Sequence, residues 1–290
     1  MDQIPDCWIS RNLSEKTRQK AEAELNESDE RKAQAITELR QKIGEYSTEN
    51  PTLKLPQSDD DAFLVRFLRA RKYDVDRALK LIVSYATFRA THTELFEGVT
   101  LEKIRPILEH KLPFVLRERD EEGRRVLLFQ PARMDPNLFN PMDVQTAFVY
   151  VLDGLIQDEE TQVNGFIMVE DYTDMTMMKM MMFDQKLIKQ MADLVQEAFP
   201  ARFKGFHMVN QPWFFSIAWK IAKPFLKEKM RSRIHMHGTD MNSLHEALGK
   251  EGLPAEVGGE RPAYDPAELI EFLRLANVQR PPAKPESSSV

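Results

Sequence analysis

Apolar residues recur along this chain with two different periods, and the change from one to the other divides it. From residue 13 to 46 the pattern is helical but sparse: Ala23, Leu25, Ala33, Ile36, Leu39 and Ile43 stand in otherwise polar sequence, and Ser14 is placed to cap the first of two helices. Asn50-Pro51 and Leu55-Pro56 exclude helix from a break over Ser47–Gln57. The run Ser58–Asp61 then caps DAFLVRFLRARKY, where Phe63, Phe67 and Ala70 share a face, and a further helix over Val75–Arg89 carries Ala78, Leu79, Ile82, Tyr85 and Phe88. A helical unit over residues 1–100 is predicted.

From Leu112 the pattern becomes mixed. LPFVLRER and RRVLLFQP read as strands joined by the acidic, glycine-ended turn Asp120–Gly123. A long helix opens at Asn140-Pro141 and runs to Asp158, with Val144, Phe148, Val151, Leu152, Leu155 and Ile156 on its inward side. GFIMVE at Gly165–Glu170 and GFHMVN at Gly205–Asn210 are short apolar runs of the kind found in central strands covered on both faces, and the helix Asp184–Ala198 lies between them. Arg233–Met236 reads as a last strand, and Asn242–Leu248 and Pro266–Leu275 as closing helices. Strands alternating with helices predict an α/β domain over residues 101–276. The proline-rich, polar segment 277–290 is expected to be a disordered tail.

The chain carries a net charge of −6, yet Phe199–Gly238 holds eight Lys and Arg against the single acid Glu228. On a helical wheel from Pro212, Ser216, Lys220 and Lys223 form a narrow polar stripe. Phe214, Phe215, Ile217, Ala218, Trp219, Ile221 and Ala222 sweep roughly 200° of apolar arc. So broad a face is buried on two sides, either against a partner or bilayer without and a core or ligand within, or in a wholly buried helix whose lysines reach to solvent. No apolar run approaches the length of a membrane span, and the opening MDQIPDCWIS has neither a signal-peptide core nor a myristoylation glycine, so membrane contact is expected to be peripheral. Cys7, the one cysteine, has no internal disulfide partner and fits a reducing, cytoplasmic setting.

Sequence motifs of the common catalytic and nucleotide sites are absent: there is no G-x-S-x-G elbow, Walker loop, G-x-G-x-x-G or H-E-x-x-H. His235 and His237 alternate as on a strand and point the same way, but no third ligand stands near them, so no metal site is expected. Asp158, Glu159 and Glu160 read as solvated charge at a helix end. Neither a catalytic residue nor a cofactor nor a nucleic-acid partner is predicted. Six methionines in Met175–Met182 suit a cavity wall or, equally, a loosely packed core helix. Glu170 ends a strand too apolar to bury a carboxylate without a partner, unless the strand emerges into solvent there.

FPARF, HMVNQPWF and KPFLKEKMRSRIHMHG within Phe199–Gly238, followed by LPAEVGG at Leu253–Gly259, resemble the CRAL-TRIO lipid-binding family, in its animal branch of retinaldehyde-binding protein, α-tocopherol transfer protein and the clavesins. The resemblance spans about Leu13 to Leu275. It implies a mixed sheet with helices around a hydrophobic pocket, preceded by an all-helical domain. It further implies one small hydrophobic lipid as cargo, a retinoid, tocopherol or similar isoprenoid; Gln211–Phe225, bounded for hinging by Pro212 and Pro224, is expected to be a gate over it that opens when its outer apolar side enters a membrane. The pocket residues implied are Phe148, Leu152, Phe166, Met168, Glu170, Phe183, Leu187, Gln190, Met191, Leu194, Phe203 and Phe206, with Phe214 and Ile217 from the gate. Gln190 stands where retinoid-binding members have a lysine, and Phe148 where they have a tyrosine. Arg71, Arg202, Lys204, Lys229 and Arg233 match a phosphoinositide-binding cluster, with Arg69 second to Arg71.

These readings converge on a carrier that exchanges a lipid at phosphoinositide-containing endosomal, Golgi or plasma membranes. The rivals are a lipid-modifying enzyme and a phosphoinositide-binding trafficking scaffold without cargo. Ser288-Ser289-Val290 has the form read by PDZ domains and makes such a partner a further expectation.

Overall fold

The computed structural model describes residues 8–56 and 60–278; Cys7, Ser58 and the terminal Ser288-Ser289-Val290 lie outside them. Four helices open the chain: α1 Glu15–Leu25, α2 Asp29–Glu49, α3 Asp61–Ala70 and α4 Val75–Thr91. Each starts at a side chain that accepts from a first-turn N–H, namely Ser14, Ser28, Asp60 and Asp74. Leu25, Ile36, Leu39, Leu64, Phe67, Leu68, Ala78 and Ile82 close into one apolar core. α2 runs past residue 46 to Glu49, since nothing before Asn50 interrupts it.

A fifth helix, α5 Leu101–Glu109, was not visible in the periodicity because Pro106 sits inside it. The sheet follows: β1 Phe114–Arg119, β2 Arg125–Phe129, β3 Phe166–Asp171, β4 Phe203–Val209 and β5 Ile234–Met236, in that spatial order. β1 and β2 form the expected antiparallel hairpin, and the remaining pairs are parallel. Parallel strands laid down in sequence order, with crossovers of one hand, put every connection on one face. Those connections are α6 Pro141–Leu155 with α7 Glu159–Asn164, α8 Met177–Met181 with α9 Gln185–Asp193, and α10 Phe215–Ala222 with α11 Glu228–Arg231. α12 Met241–Leu248 covers the other face through Leu244 and Leu248, and α13 Pro266–Ala276 packs with α5 in the main core.

Strand parity then decides which side chains face the crossovers. Phe166 and Met168 point that way and Ile167 and Val169 to the α12 side, which confirms β3 as a strand covered on both faces. The entry to β3 needs a glycine. Gly165 has φ 88°, and a Cβ there would lie 2.2 Å from the Arg202 carbonyl oxygen.

The helical unit is joined to the α/β unit by a buried guanidinium. Arg69 is 1% exposed; its Nη2 pairs with Glu27 Oε1 at 2.7 Å and Glu159 Oε2 at 2.9 Å, and its Nη1 donates to Gln162 Oε1 at 2.8 Å. Arg69 is therefore turned away from any anion-binding surface. The boundary is also interlocked, because Phe88, Leu95 and Phe96 belong to the larger core. Replacing Arg69 with Met strands two carboxylates and is expected to cost about 3–5 kcal/mol in urea unfolding. A loss under about 1 kcal/mol would show that the joint carries little.

Candidate functional site

Between the sheet and its crossover helices lies an apolar cavity of about 290 Å³. Met168, Glu170, Phe206 and Met208 form its floor, α6 and α9 its walls, and α8 and α10 its rim and roof. It occupies only the C-terminal half of the strands. In the N-terminal half Phe166 stacks on Phe203 at 5.5 Å, Phe203 stacks in turn on the floor ring Phe206 at 5.9 Å, and Phe199 packs on Phe203 at 6.4 Å.

Of the residues named from the sequence, Phe148, Met168, Glu170, Phe183, Leu187, Met191 and Phe206 line the cavity. The other seven do not. Phe166 and Phe203 are the stacked rings that fill the space below it, and Leu152, a turn along α6 from Phe148, is sealed in the core beside them. Gln190 faces the helical unit, where its amide nitrogen lies 2.9 Å from His92 Nδ1 and donates to Glu94 Oε1 at 3.0 Å. Leu194 begins a wide π-turn, Leu194–Ala198, which presents Val195 and Gln196 to the cavity in its place. Phe214 is buried outside the cavity, and Ile217 points to solvent.

Two polar lining residues went unnamed although their spacing placed them. Gln145 lies three residues before Phe148 on the same face of α6, and Tyr172 lies two after Glu170. The Tyr172 hydroxyl donates to Glu170 Oε2 at 2.5 Å. Burial raises the Glu170 pKa against that bond, and both burial and the Glu170 charge raise Tyr172. The methionine run serves two sides: Met175 and Met180 line the cavity, whereas Met178 and Met181 are exposed.

α10 divides its broad apolar arc between two environments. Phe215, Ala218, Trp219 and Ala222 face the cavity, while Trp213, Ile217 and Ile221 are 83%, 50% and 42% exposed. Ser216, Lys220 and Lys223 are exposed with them.

Beside this lid the cations gather. Burial lowers the Lys229 pKa, and so do the charges of Arg233, Arg77, Arg71 and Lys72. Among the described residues no carboxylate pairs with any of these five. Arg71 likewise is lowered by burial and by Arg77, with only Glu197 acting the other way. Arg71, Lys229 and Arg233, named from the sequence, are thus brought together, and Lys72 from the α3–α4 turn and Arg77 from the first turn of α4 join them. Arg202 and Lys204 lie next to the cluster but are engaged, both to Glu24 Oε2, at 2.6 and 3.2 Å. Burial would raise Glu24, yet the bond from Arg202 and the charge of Lys204 outweigh it and hold the carboxyl at about 2.

On the opposite face of the sheet, His235 and His237 both stack on buried His207, at 4.8 and 5.2 Å. His207 Nδ1 lies 3.0 Å from His237 Nε2, whose Nδ1 is 2.8 Å from Ser243 Oγ. Among the described residues no group of His, Cys, Asp or Glu is set to hold a metal ion, and no helix is long and apolar enough to cross a membrane.

A chain with a helical unit, a five-stranded mixed sheet and an apolar cavity closed by a two-sided helix has known counterparts. Residues 109–259 match the CRAL/TRIO domain model and residues 32–84 the CRAL/TRIO N-terminal domain model. The chain is 35% identical to human Clavesin-2 over 89% of its length and 78% of the relative's, and 36% identical to Clavesin-1 of Xenopus laevis over 87% and 75%. It superposes on the crystal structure of Sfh5 with a TM-score of 0.56 at 14% identity, covering 88% of this chain and 95% of the other, a likeness of fold. The chain belongs to the CRAL/TRIO lipid-binding family.

The histidine stack has a measurable consequence. Burial foremost, then the charges of His235, His237 and Arg124, lower the His207 pKa from 6.5 to about 3. The unfolded chain takes up this proton below about pH 6.5 and the folded chain only near 3, so stability is full at neutral pH and falls across that window. From about pH 7 to about pH 5 this one residue contributes a loss of about 2 kcal/mol. His207→Gln is expected to flatten that part of the curve in pH-dependent urea titrations.

Proposed function

We propose that this protein is an intracellular carrier that holds one small hydrophobic lipid and exchanges it at phosphoinositide-containing membranes. The observation that carries the reading is α10 with the turn that leads into it: one side of the helix lines the cavity, while Ile217 and Ile221 on its other side and Trp213 in the turn are exposed. A side chain as large as Trp213, left in water at the start of a helix that roofs a cavity, fits insertion into a bilayer. Moving that helix opens the cavity where the cargo leaves. Burying about 400 Å² of ligand apolar surface contributes roughly 10 kcal/mol before ordering costs, so release needs such an opening.

The cluster of Arg71, Lys72, Arg77, Lys229 and Arg233 supplies the docking charge. Five clustered cations with no carboxylate partner among the described residues are stabilised by a polyanionic headgroup. Arg202 and Lys204 join only if they give up Glu24. The reading places the protein in the cytoplasm, peripherally on endosomal, Golgi or plasma membranes, with a retinoid, tocopherol or similar isoprenoid as cargo. A carrier is favoured over an enzyme because the titratable pair in the cavity, Glu170 and Tyr172, is bonded to itself. The cation cluster alone would also serve a trafficking scaffold without cargo, and native mass spectrometry of the protein purified from cells separates the two: a lipid at one-to-one stoichiometry is expected, and a protein that stays empty after incubation with donor vesicles sinks the carrier.

Lys229→Ala with Arg233→Ala is expected to weaken binding to phosphoinositide vesicles by roughly tenfold or more, at about 1 kcal/mol per cation, while leaving cargo retention in buffer unchanged. Trp213→Ser with Ile217→Ser is expected to slow cargo exchange with vesicles several-fold without altering the folded state. Unchanged transfer rates in a fluorescent-lipid exchange assay would exclude α10 as the lid.

A further inference from the structure

Gln145 is 6% exposed and lines the cavity, and neither its amide oxygen nor its amide nitrogen has a hydrogen-bond partner among the described residues. Buried polar groups are seldom left so, because each unpaired one carries its full desolvation cost. The other polar groups at the cavity are accounted for. Tyr172 and Glu170 bond to each other, and Gln196 bonds to the backbone of Ala192, Phe225 and Lys227. Among the described residues no Lys, Arg or His lines the cavity.

We infer that the cavity selects a lipid bearing one uncharged oxygen function, a hydroxyl or a carbonyl, which Gln145 holds, and that it rejects the corresponding carboxylate and hydrocarbon. The inference rests on the carrier reading and narrows its cargo. A hydroxyl donates to the Gln145 Oε1 and accepts from its Nε2; a carbonyl accepts from the Nε2. A hydrocarbon leaves both atoms unpaired. A carboxylate finds no cation to neutralise it and shares the cavity with Glu170, a group that burial already disfavours in its charged form. Any phosphate-bearing head is disfavoured on the same ground, which separates the cargo from the anionic lipid sought by the external cluster.

The position also implies a trade between stability and selection. In the empty protein an apolar side chain of similar volume would fit the site better than an amide without partners. Gln145→Met is therefore expected to raise the thermal midpoint of the lipid-free protein while weakening the cargo, a pair of opposite shifts that a packing role does not produce.

The test uses the full chain, stripped of lipid, with farnesol, farnesoic acid and farnesene offered at neutral pH and bound ligand counted by native mass spectrometry. Farnesol is expected to bind roughly tenfold or more tighter than either analogue, and Gln145→Met to lose about tenfold for farnesol while holding farnesene as before. Equal binding of all three, a preference for the acid, or a Gln145→Met protein that keeps the farnesol preference would overturn the selection and leave the carrier standing. Binding of none of the three, together with a protein that stays empty in vesicle lipids, would remove the carrier itself.

Discussion

One buried cation fixes the geometry on which the external site depends. Arg69 gives up its hydration and regains it as contacts to Glu27, Glu159 and Gln162, which belong to the α1–α2 link and to α7. Burial alone would lower its pKa, but the bond and charge of Glu27 and the charge of Glu159 raise it instead, so the group stays ionised. The ion pair need not be a net gain over an apolar contact; its force is that neither unit can move without exposing an unpaired charge. Two residues on, Arg71 is held where its charge acts on Lys229 of the α/β unit. A second link, Arg202 and Lys204 to Glu24, fastens α1 to β4 on the same side. Arg71, Lys72 and Arg77 of the cation cluster come from the helical unit and Lys229 and Arg233 from the α/β unit, so the cluster exists only while this joint does.

The same physics separates two kinds of charge that look alike in the primary structure. Arg66, Arg69 and Arg71 occupy one short helix, and Arg202, Lys204, Lys229 and Arg233 one basic stretch. In the fold Arg69 is spent on the interior and Arg202 and Lys204 on Glu24, while Arg71, Lys229 and Arg233 have no carboxylate partner among the described residues. The partner of a cation decides its role, and partners such as Glu24 and Glu159 lie far away along the chain.

What was legible followed the same division. The two periods gave every strand, the hairpin turn and the helical N-terminal unit, because alternation and i, i+3, i+4 spacing are local. α5 escaped because Pro106 broke its signature. In the cavity, faces were legible but depth was not. Phe148 and Leu152 share a stripe of α6, yet one borders open space and the other packed core, and nothing on a helical wheel tells where the core stops. Leu194 was displaced by a π-turn that shifts the phase of α9, and Gln190 turned toward His92 and Glu94 of another unit. The breadth of the α10 arc did announce two apolar environments, and the structure distributes its residues between cavity and solvent.

The stack of Phe166, Phe203 and Phe206 has a bearing on how such a protein measures what it carries. The rings stand on paired strands, whereas the wall opposite them stands on α10, joined to the sheet at one side through Tyr172 and Phe215. The ringed end of the cavity is therefore backed by two hydrogen-bonded strands, and the α10 end by a single short helix. On the proposed carrier reading, a wall fixed at one end and open at the other presents the same depth whether α10 is shut in water or parted at a surface, so discrimination by size survives the act of exchange.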